Sequence, residues 1–210
     1  MKLIKQSDFT RLINFINQLG WIRHIDNIDR SIYQKMRPCY ANRTVLTIMN
    51  IVSMSCSWLF CFPLYFLLLF LQVSNGSGQN GSLIFYHFIA AEFIQLTIII
   101  SLRYFIKRER PVPAFPLIFN EKVKLYALVV GWNRYSFPSL HASRAFMLCI
   151  IIYNGPGIHN MDFISLFLLL ASAMTVTLSR LILQRHFMSD VVTGATVGMI
   201  SAFATLNIVF

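Results

Sequence analysis

Apolar residues run together along most of this chain instead of alternating with polar ones. Five apolar stretches follow one another, at about 45–73, 83–106, 139–154, 163–184 and 188–210. All but the third approach the roughly 20 residues a helix needs to cross hydrocarbon. The third is short unless Pro138 and Ser139 begin it at the membrane edge. Pro63 inside the first is compatible with a membrane helix, where neighbouring helices re-satisfy the freed carbonyl. The turns 74–82 and 155–162 are short and glycine-rich, whereas the connection 107–138 is long and basic. The pattern predicts an all-α integral membrane bundle of about five transmembrane helices.

Residues 1–44 read differently. Phe9, Leu12, Ile13, Phe15, Ile16 and Leu19 recur at helical spacing, and Trp21, Ile22, Ile25, Ile28 and Ile32 continue beyond Gly20, with charges between them. This predicts an amphipathic segment at 1–44 ahead of a membrane-embedded domain at 45–210. The segment either lies on the membrane or packs on the bundle's own face. No short apolar run with a cleavage site opens the chain, so no removable signal peptide is expected.

Composition agrees: of 210 residues, 56% are apolar and only 12% charged, a membrane composition for one domain without repeats. A net charge of +10 would suggest nucleic acid in a soluble protein. Here it predicts no nucleic-acid partner but a surface facing anionic lipid and a pocket for an anionic substrate. Threading five spans puts residues 1–44, the 107–138 loop and the 185–187 turn on one side, and every Lys and Arg falls on or near that side. The positive-inside rule makes it cytosolic, in an endoplasmic reticulum or nuclear envelope membrane if the chain is eukaryotic. Cys39, Cys56, Cys61 and Cys149 have no metal-ligand spacing and read as core or lipid-facing thiols.

Three polar stretches emerge on the basic side. In Ser179-Arg180-x5-His186-x3-Asp190, His186 and Asp190 are four apart and share a face if a helix begins there. A carboxylate one turn from an imidazole can hold its Nδ1–H and leave Nε2 free to attack, and Arg180 adds a guanidinium fork suited to phosphate oxygens. Alternatively the cluster only snorkels to headgroups. Arg103 and Arg110, seven apart, share a face if the helix of the second span runs that far, either as anion ligands or as a basic cap. Ser139, Leu140 and His141 open the third. Ser139 is an ordinary N-cap, or the helix start aims backbone N–H groups at an anion. For Glu92 and His87, inside the second span, the favoured reading is a satisfied contact within the bundle.

Together Arg103-x6-Arg110-Pro111, Pro138-Ser139-Leu140-His141 and Ser179-Arg180-x5-His186-x3-Asp190 resemble the three signature motifs of the type 2 phosphatidic acid phosphatase superfamily, over about 83–205. Tyr135-Ser-Phe-Pro-Ser, Arg144 and Gln184-Arg185-His186 look most like its polyisoprenoid (presqualene) diphosphate phosphatase group. There are two departures: Arg103 stands where Lys is usual, and Leu140 where Gly is usual. Leu would be strained there if the position required positive φ.

The resemblance implies hydrolysis of lipid phosphates or isoprenoid diphosphates through a phosphohistidine, with no cofactor and no metal. By motif, His186 is the nucleophile, Asp190 its orienter and His141 the general acid. Arg103, Arg110, Arg180, Ser139 and the Leu140 N–H bind phosphate. The partners implied are the lipid substrate and membrane lipids. Lys107, Arg108, Lys122, Lys124, Arg134, Arg144 and Arg185 hold a second phosphate or, as favoured for most, meet headgroups. Two alternatives remain: a phosphotransferase passing the group to an alcohol, and a catalytically weakened membrane scaffold.

Overall fold

The computed structural model describes residues 20–55, 78–111, 135–154 and 163–209. Helix α1 spans Gly20–Ala41 and α2 Arg43–Met54. They part at Asn42, whose extended backbone and side-chain oxygen cap the Thr44 and Val45 N–H groups, at 3.0 and 3.2 Å. The remaining helices are α3 (Gly78–Ile106), α4 (Leu140–Tyr153), α5 (Phe163–Ile182) and α6 (Met188–Val209). The first apolar run beyond Ser55, the stretch before Gly20, and Lys122, Lys124 and Arg134 lie outside the described residues.

Helices α3, α5 and α6 contain runs long and apolar enough to cross a membrane, at Leu83–Ile106, Phe163–Ile182 and Met188–Leu206; α2 and α4 are shorter apolar helices. Helix α3 starts at Gly78, five residues earlier than the apolar run: once the apolar part is helical, the polar Gly78–Ser82 turn extends it one hydrogen bond at a time. Phe93, Phe163, Ile164, Phe167, Leu168, Ile200 and Phe203 point outward, as residues solvated by lipid do.

The shortest of the central helices is the hub. Helix α4 packs on α6, α5 and α3, its most extensive contact being with α6. Ala145 and Cys149 meet Ala173 and Val176 of α5, while Met147 and Ile151 meet Phe88, Ala91 and Ala202 of α3 and α6. Small residues are what close packing between membrane helices requires, since lipid offers no hydrophobic drive for association. Gly194 and Gly198 of α6, one turn apart, carry this furthest. A Cβ on Gly194 would lie 2.3 Å from the Ser139 carbonyl oxygen, and one on Gly198 1.9 Å from that of Ser143.

Of the two placements open to the N-terminal segment, α1 takes the bundle. Asp29 is fully buried, Tyr33 donates to the Gln184 side chain at 3.3 Å, and Met36 packs on Ala142, Leu181 and Val191. Glu92 and His87 have partners inside the bundle. Arg144 donates to Glu92 at 2.9 Å through Nε, Gln95 bonds the other carboxylate oxygen, and His87 Nε2 lies 3.0 Å from the Ala202 carbonyl.

Candidate active site

The polar ends of α3, α4, α5 and α6 meet at one end of the bundle. Arg103 occupies the last turn of α3, which stops at Lys107 in the left-handed conformation (φ 49°). Arg103 Nη2 donates to the Pro138 carbonyl at 3.1 Å, tying α3 to the start of α4. The loop ends are zipped together: Ser136 N–H donates to the Arg108 carbonyl at 2.8 Å, and Glu109 forms an antiparallel bridge with Tyr135. This sets Arg110, just past α3, beside the α5–α6 turn, with Nη1 3.5 Å from His186 Nε2. Arg180, in the last turn of α5, donates to Ser53 of α2.

Ser139 holds the N-cap position of α4, yet its side chain makes no capping bond, and its buried hydroxyl has no hydrogen-bond partner among the described residues. Its backbone N–H donates to the Asp190 carbonyl at 2.9 Å. The first N–H groups of α4 are thus left for an anion. Leu140 is the first helical residue, and the positive-φ non-glycine residues among those described are Lys107 and Gln184. The usual glycine is therefore not needed for its conformation, and Leu140 adds a half-buried apolar wall without strain. His141 follows in the first turn; no hydrogen bond to its ring is formed by the described residues, and the charges of Arg180, Arg144 and Arg110 reach it.

His186 sits in the turn between α5 and α6, 2% exposed. Asp190 lies in the first turn of α6 and reaches back to accept the Phe187 N–H at 2.9 Å, as the third residue of a capping box does. That places Asp190 Oδ2 3.6 Å from His186 Nδ1. The pairing expected from the four-residue spacing is there as proximity, but the separation exceeds a hydrogen bond, because both carboxylate oxygens are engaged elsewhere. The imidazole pKa is held well below its usual value, first by burial and then by the charges of Arg110, Arg180 and Arg103, so the ring is neutral at neutral pH. Burial, and then Arg185, push the Arg110 pKa down to about 10. Asp190 is the carboxylate whose charge reaches Arg110 and Arg103, and it is already bound to Arg108, so the crowded guanidiniums favour an added anion; buried Nε atoms of Arg110 and Arg180 have no hydrogen-bond partner among the described residues.

Sequence reading misassigned two arginines. Arg108, expected to face headgroups or a second phosphate, instead donates to Asp190 Oδ1 at 2.9 Å, Ser189 Oγ at 2.6 Å and Asp29 Oδ2 at 2.8 Å, and lies over the Phe187 ring. Burial opposes its charge, but Asp190 and Asp29 raise its pKa above the ordinary guanidinium value. Arg144 points into the bundle onto Glu92. The reason is the same in both: a carboxylate buried nearby outcompetes the distant headgroup. Lys107 is exposed above the Tyr104 ring, and half-buried Arg185 offers its carbonyl to Arg110 at 3.5 Å. Asp29, Ser53 and Ser136 were not singled out from sequence. The Gly194-x3-Gly198 spacing was the one visible signal for the close α4–α6 approach.

A helical bundle with membrane-length apolar helices, carrying three arginines near a neighbouring histidine and aspartate, defines a membrane protein with a cationic cluster at one end of its bundle. The chain belongs to the PAP2 superfamily, whose family model matches residues 82–210, more than half of its length. In fold it is similar to a transmembrane PAP2-type phosphatidylglycerolphosphate phosphatase from Bacillus subtilis (TM-score 0.66, 17% identity, covering 95% of this chain and 92% of that one). It is also similar to LpxE from Aquifex aeolicus (TM-score 0.57, 20% identity, covering 83% and 93%). No curated protein sequence matches the chain.

Proposed function

We propose that this protein is a membrane lipid phosphatase that removes phosphate from polyisoprenoid diphosphates or lipid phosphates through a phosphohistidine. The observation that carries the reading is the neutral, buried His186, with Arg110 at its Nε2 and Asp190 behind its Nδ1. PAP2 membership supports the phosphatase class, and the fold shared with the Bacillus subtilis phosphatidylglycerolphosphate phosphatase supports a lipid substrate.

In this mechanism the phosphoryl group sits among Arg103, Arg110, Arg180, the Ser139 hydroxyl and the α4 N-terminus. A loose phosphoryl transition state asks for positioning and charge stabilisation, which a cradle of guanidiniums and backbone N–H groups supplies. The Nε2 lone pair of His186 attacks phosphorus. The bond from phosphorus to the leaving oxygen breaks, that oxygen keeps the electron pair, and His141, which takes up a proton once the negative charge of the phosphate has entered among the arginines, passes that proton to it. The adduct makes the imidazole cationic, which draws Asp190 in from 3.6 Å to hydrogen-bond Nδ1–H. Water then attacks the phosphohistidine, His141 takes its proton, and the phosphorus–nitrogen electrons return to Nε2, releasing inorganic phosphate. Within this reading the active side faces the cytosol, and residues 1–44 and 45–210 serve one catalytic unit.

The test is turnover in excess EDTA. The carboxylate beside His186 is already bound to Arg108, and no cluster of metal-ligating side chains is found among the described residues, so the cradle is built of cations. Phosphate release is expected to persist in EDTA and to be blocked by vanadate, which His186 would trap as a five-coordinate adduct. Loss in EDTA with recovery on adding magnesium would overturn the metal-free mechanism. Transfer of phosphate to an alcohol without free phosphate would favour the phosphotransferase.

Leu140 bears on the choice of lipid. It is the first residue of α4, next to Ser139 and half-buried, and in this reading its side chain meets the first carbons of an isoprenoid chain. Leu140→Gly is expected to shift the ratio of kcat/KM for farnesyl diphosphate over phosphatidate by about 10-fold or more, the scale of a small apolar contact. An unchanged ratio removes Leu140 from tail selection. A rise for every substrate means that it obstructs the cradle.

A further inference from the structure

The family match begins at residue 82, yet α1 sends a buried carboxylate to the same end of the bundle. Asp29 is 2% exposed and is held by three groups. Its Oδ1 accepts the Ser189 backbone N–H at 2.9 Å; its Oδ2 accepts the Ser189 hydroxyl at 2.5 Å and Arg108 Nη2 at 2.8 Å. Ser189 is the second residue of α6, so the N–H that Asp29 takes is one that every helix start leaves without a partner. Phe187, which precedes Met188, has no side-chain oxygen to cap it. Asp29 therefore does from α1 what a capping residue would do within α6.

The second half of the arrangement reaches the reacting groups. Arg108 bridges Asp29 and Asp190 through its two terminal nitrogens, Nη2 on the first and Nη1 on the second. Asp190 in turn faces Nδ1 of His186. The chain Asp29–Arg108–Asp190–His186 is continuous, and its first member belongs to a helix outside the matched region. Asp26, 3.4 Å from Arg108, is partly exposed and also paired with Arg30, so the buried Asp29 is the stronger anchor.

We propose that Asp29 is a positioning residue of the active site: it caps α6 and clamps Arg108 on Asp190, and so fixes the Asp190–His186 pair for in-line attack. This rests on the reading of His186 as the phosphoryl acceptor. Asp29 does not touch the phosphate cradle, so its removal should harm the bond-forming step and spare simple anion binding. A merely structural role would weaken both together.

Two probes on the full-length protein in detergent separate these outcomes. Inorganic phosphate needs only the cradle; vanadate, which adds a bond from His186, needs the aligned nucleophile as well. Affinities are read from the concentration-dependent rise in melting temperature. In the wild type vanadate should bind tighter than phosphate. Asp29→Asn keeps an oxygen for the Ser189 N–H but loses the charge that grips Arg108. It is expected to reduce vanadate affinity by about 10-fold or more while phosphate affinity stays level or tightens. In the same preparation kcat should fall by a similar factor, and Asp29→Glu should recover part of it. If the asparagine variant does not fold, Asp29→Ser, which also offers an oxygen without charge, takes its place. A vanadate preference that survives loss of the carboxylate, or a parallel loss of both affinities, overturns the positioning role. A wild type that binds the two anions alike overturns the phosphohistidine reading itself, and the inference with it.

Discussion

Replacing His186 with alanine is expected to lower phosphate release by at least about 10⁴-fold, the scale seen when a nucleophile acting within a catalytic unit is removed. The protein should still fold. His186 is buried, yet its Nδ1 has no hydrogen-bond partner among the described residues, and its closest polar side-chain neighbours stand at 3.5 and 3.6 Å. Apart from a backbone bond at Ser136, the ring has no close polar partner, and a buried nitrogen left so costs stability, which native structures accept where chemistry requires it. Its lowered pKa points the same way: the charges that would make a histidine at this site a poor structural cation keep it an available nucleophile. The measurement is phosphate release from purified, detergent-solubilised wild type and variant, with melting curves to show that both are folded. Turnover near the wild-type rate from a folded His186→Ala protein would remove His186 from the reaction.

The parts of this molecule that were legible in the sequence are those set by one-dimensional spacing. Apolar runs fix which helices can lie in lipid, and α3, α5 and α6 fall where the runs predict. The motif spacings put Arg103, Arg110, Ser139, His141, Arg180, His186 and Asp190 on ends that the topology brings to one side. What was not legible depends on partners distant in sequence. Nothing near Arg108 announces that it will meet Asp29, 79 positions earlier. Nothing near Arg144 announces Glu92, 52 positions before it. A lone charge at a helix end reads as solvated until its partner is known, because the commonest fate of such a residue is a headgroup. Asp190 was hidden in another way. Its spacing from His186 was clear, but its acceptor capacity is taken up by Arg108 and the Phe187 N–H, which leaves the imidazole at 3.6 Å, and spacing does not reveal that competition.

The division suits the proposed chemistry. In the free state Arg108 neutralises part of the Asp190 charge, which moderates how strongly the carboxylate raises His186 basicity. A phosphoryl group on Nε2 makes the ring cationic and tips that balance toward the imidazole. The response is an electrostatic one that needs only a short movement at Asp190, on a helix whose position is fixed by close backbone packing.

That packing leads to the second large effect. Gly198→Ala is expected to lower the melting midpoint by about 10 °C or more, corresponding to overpacking at or beyond the upper end of the usual 1–3 kcal/mol. The added Cβ would fall 1.9 Å from the Ser143 carbonyl oxygen, 2.7 Å from its carbon and 2.9 Å from its Cα. All three are backbone atoms, so no rotamer change relieves the overlap, and α4 and α6 must separate. Separation strains, one turn nearer the site, the Ser139 N–H bond to the Asp190 carbonyl (2.9 Å), which crosses from α4 to α6. Activity should therefore fall even at temperatures where the variant is folded. Thr196→Ala, on the exposed face of the same helix, serves as the comparison and should melt within a few degrees of the wild type. If Gly198→Ala melts with the wild type and keeps its rate, then α4 and α6 do not approach through bare backbone, and the close contact that sets Ser139 against Asp190 would have to be abandoned.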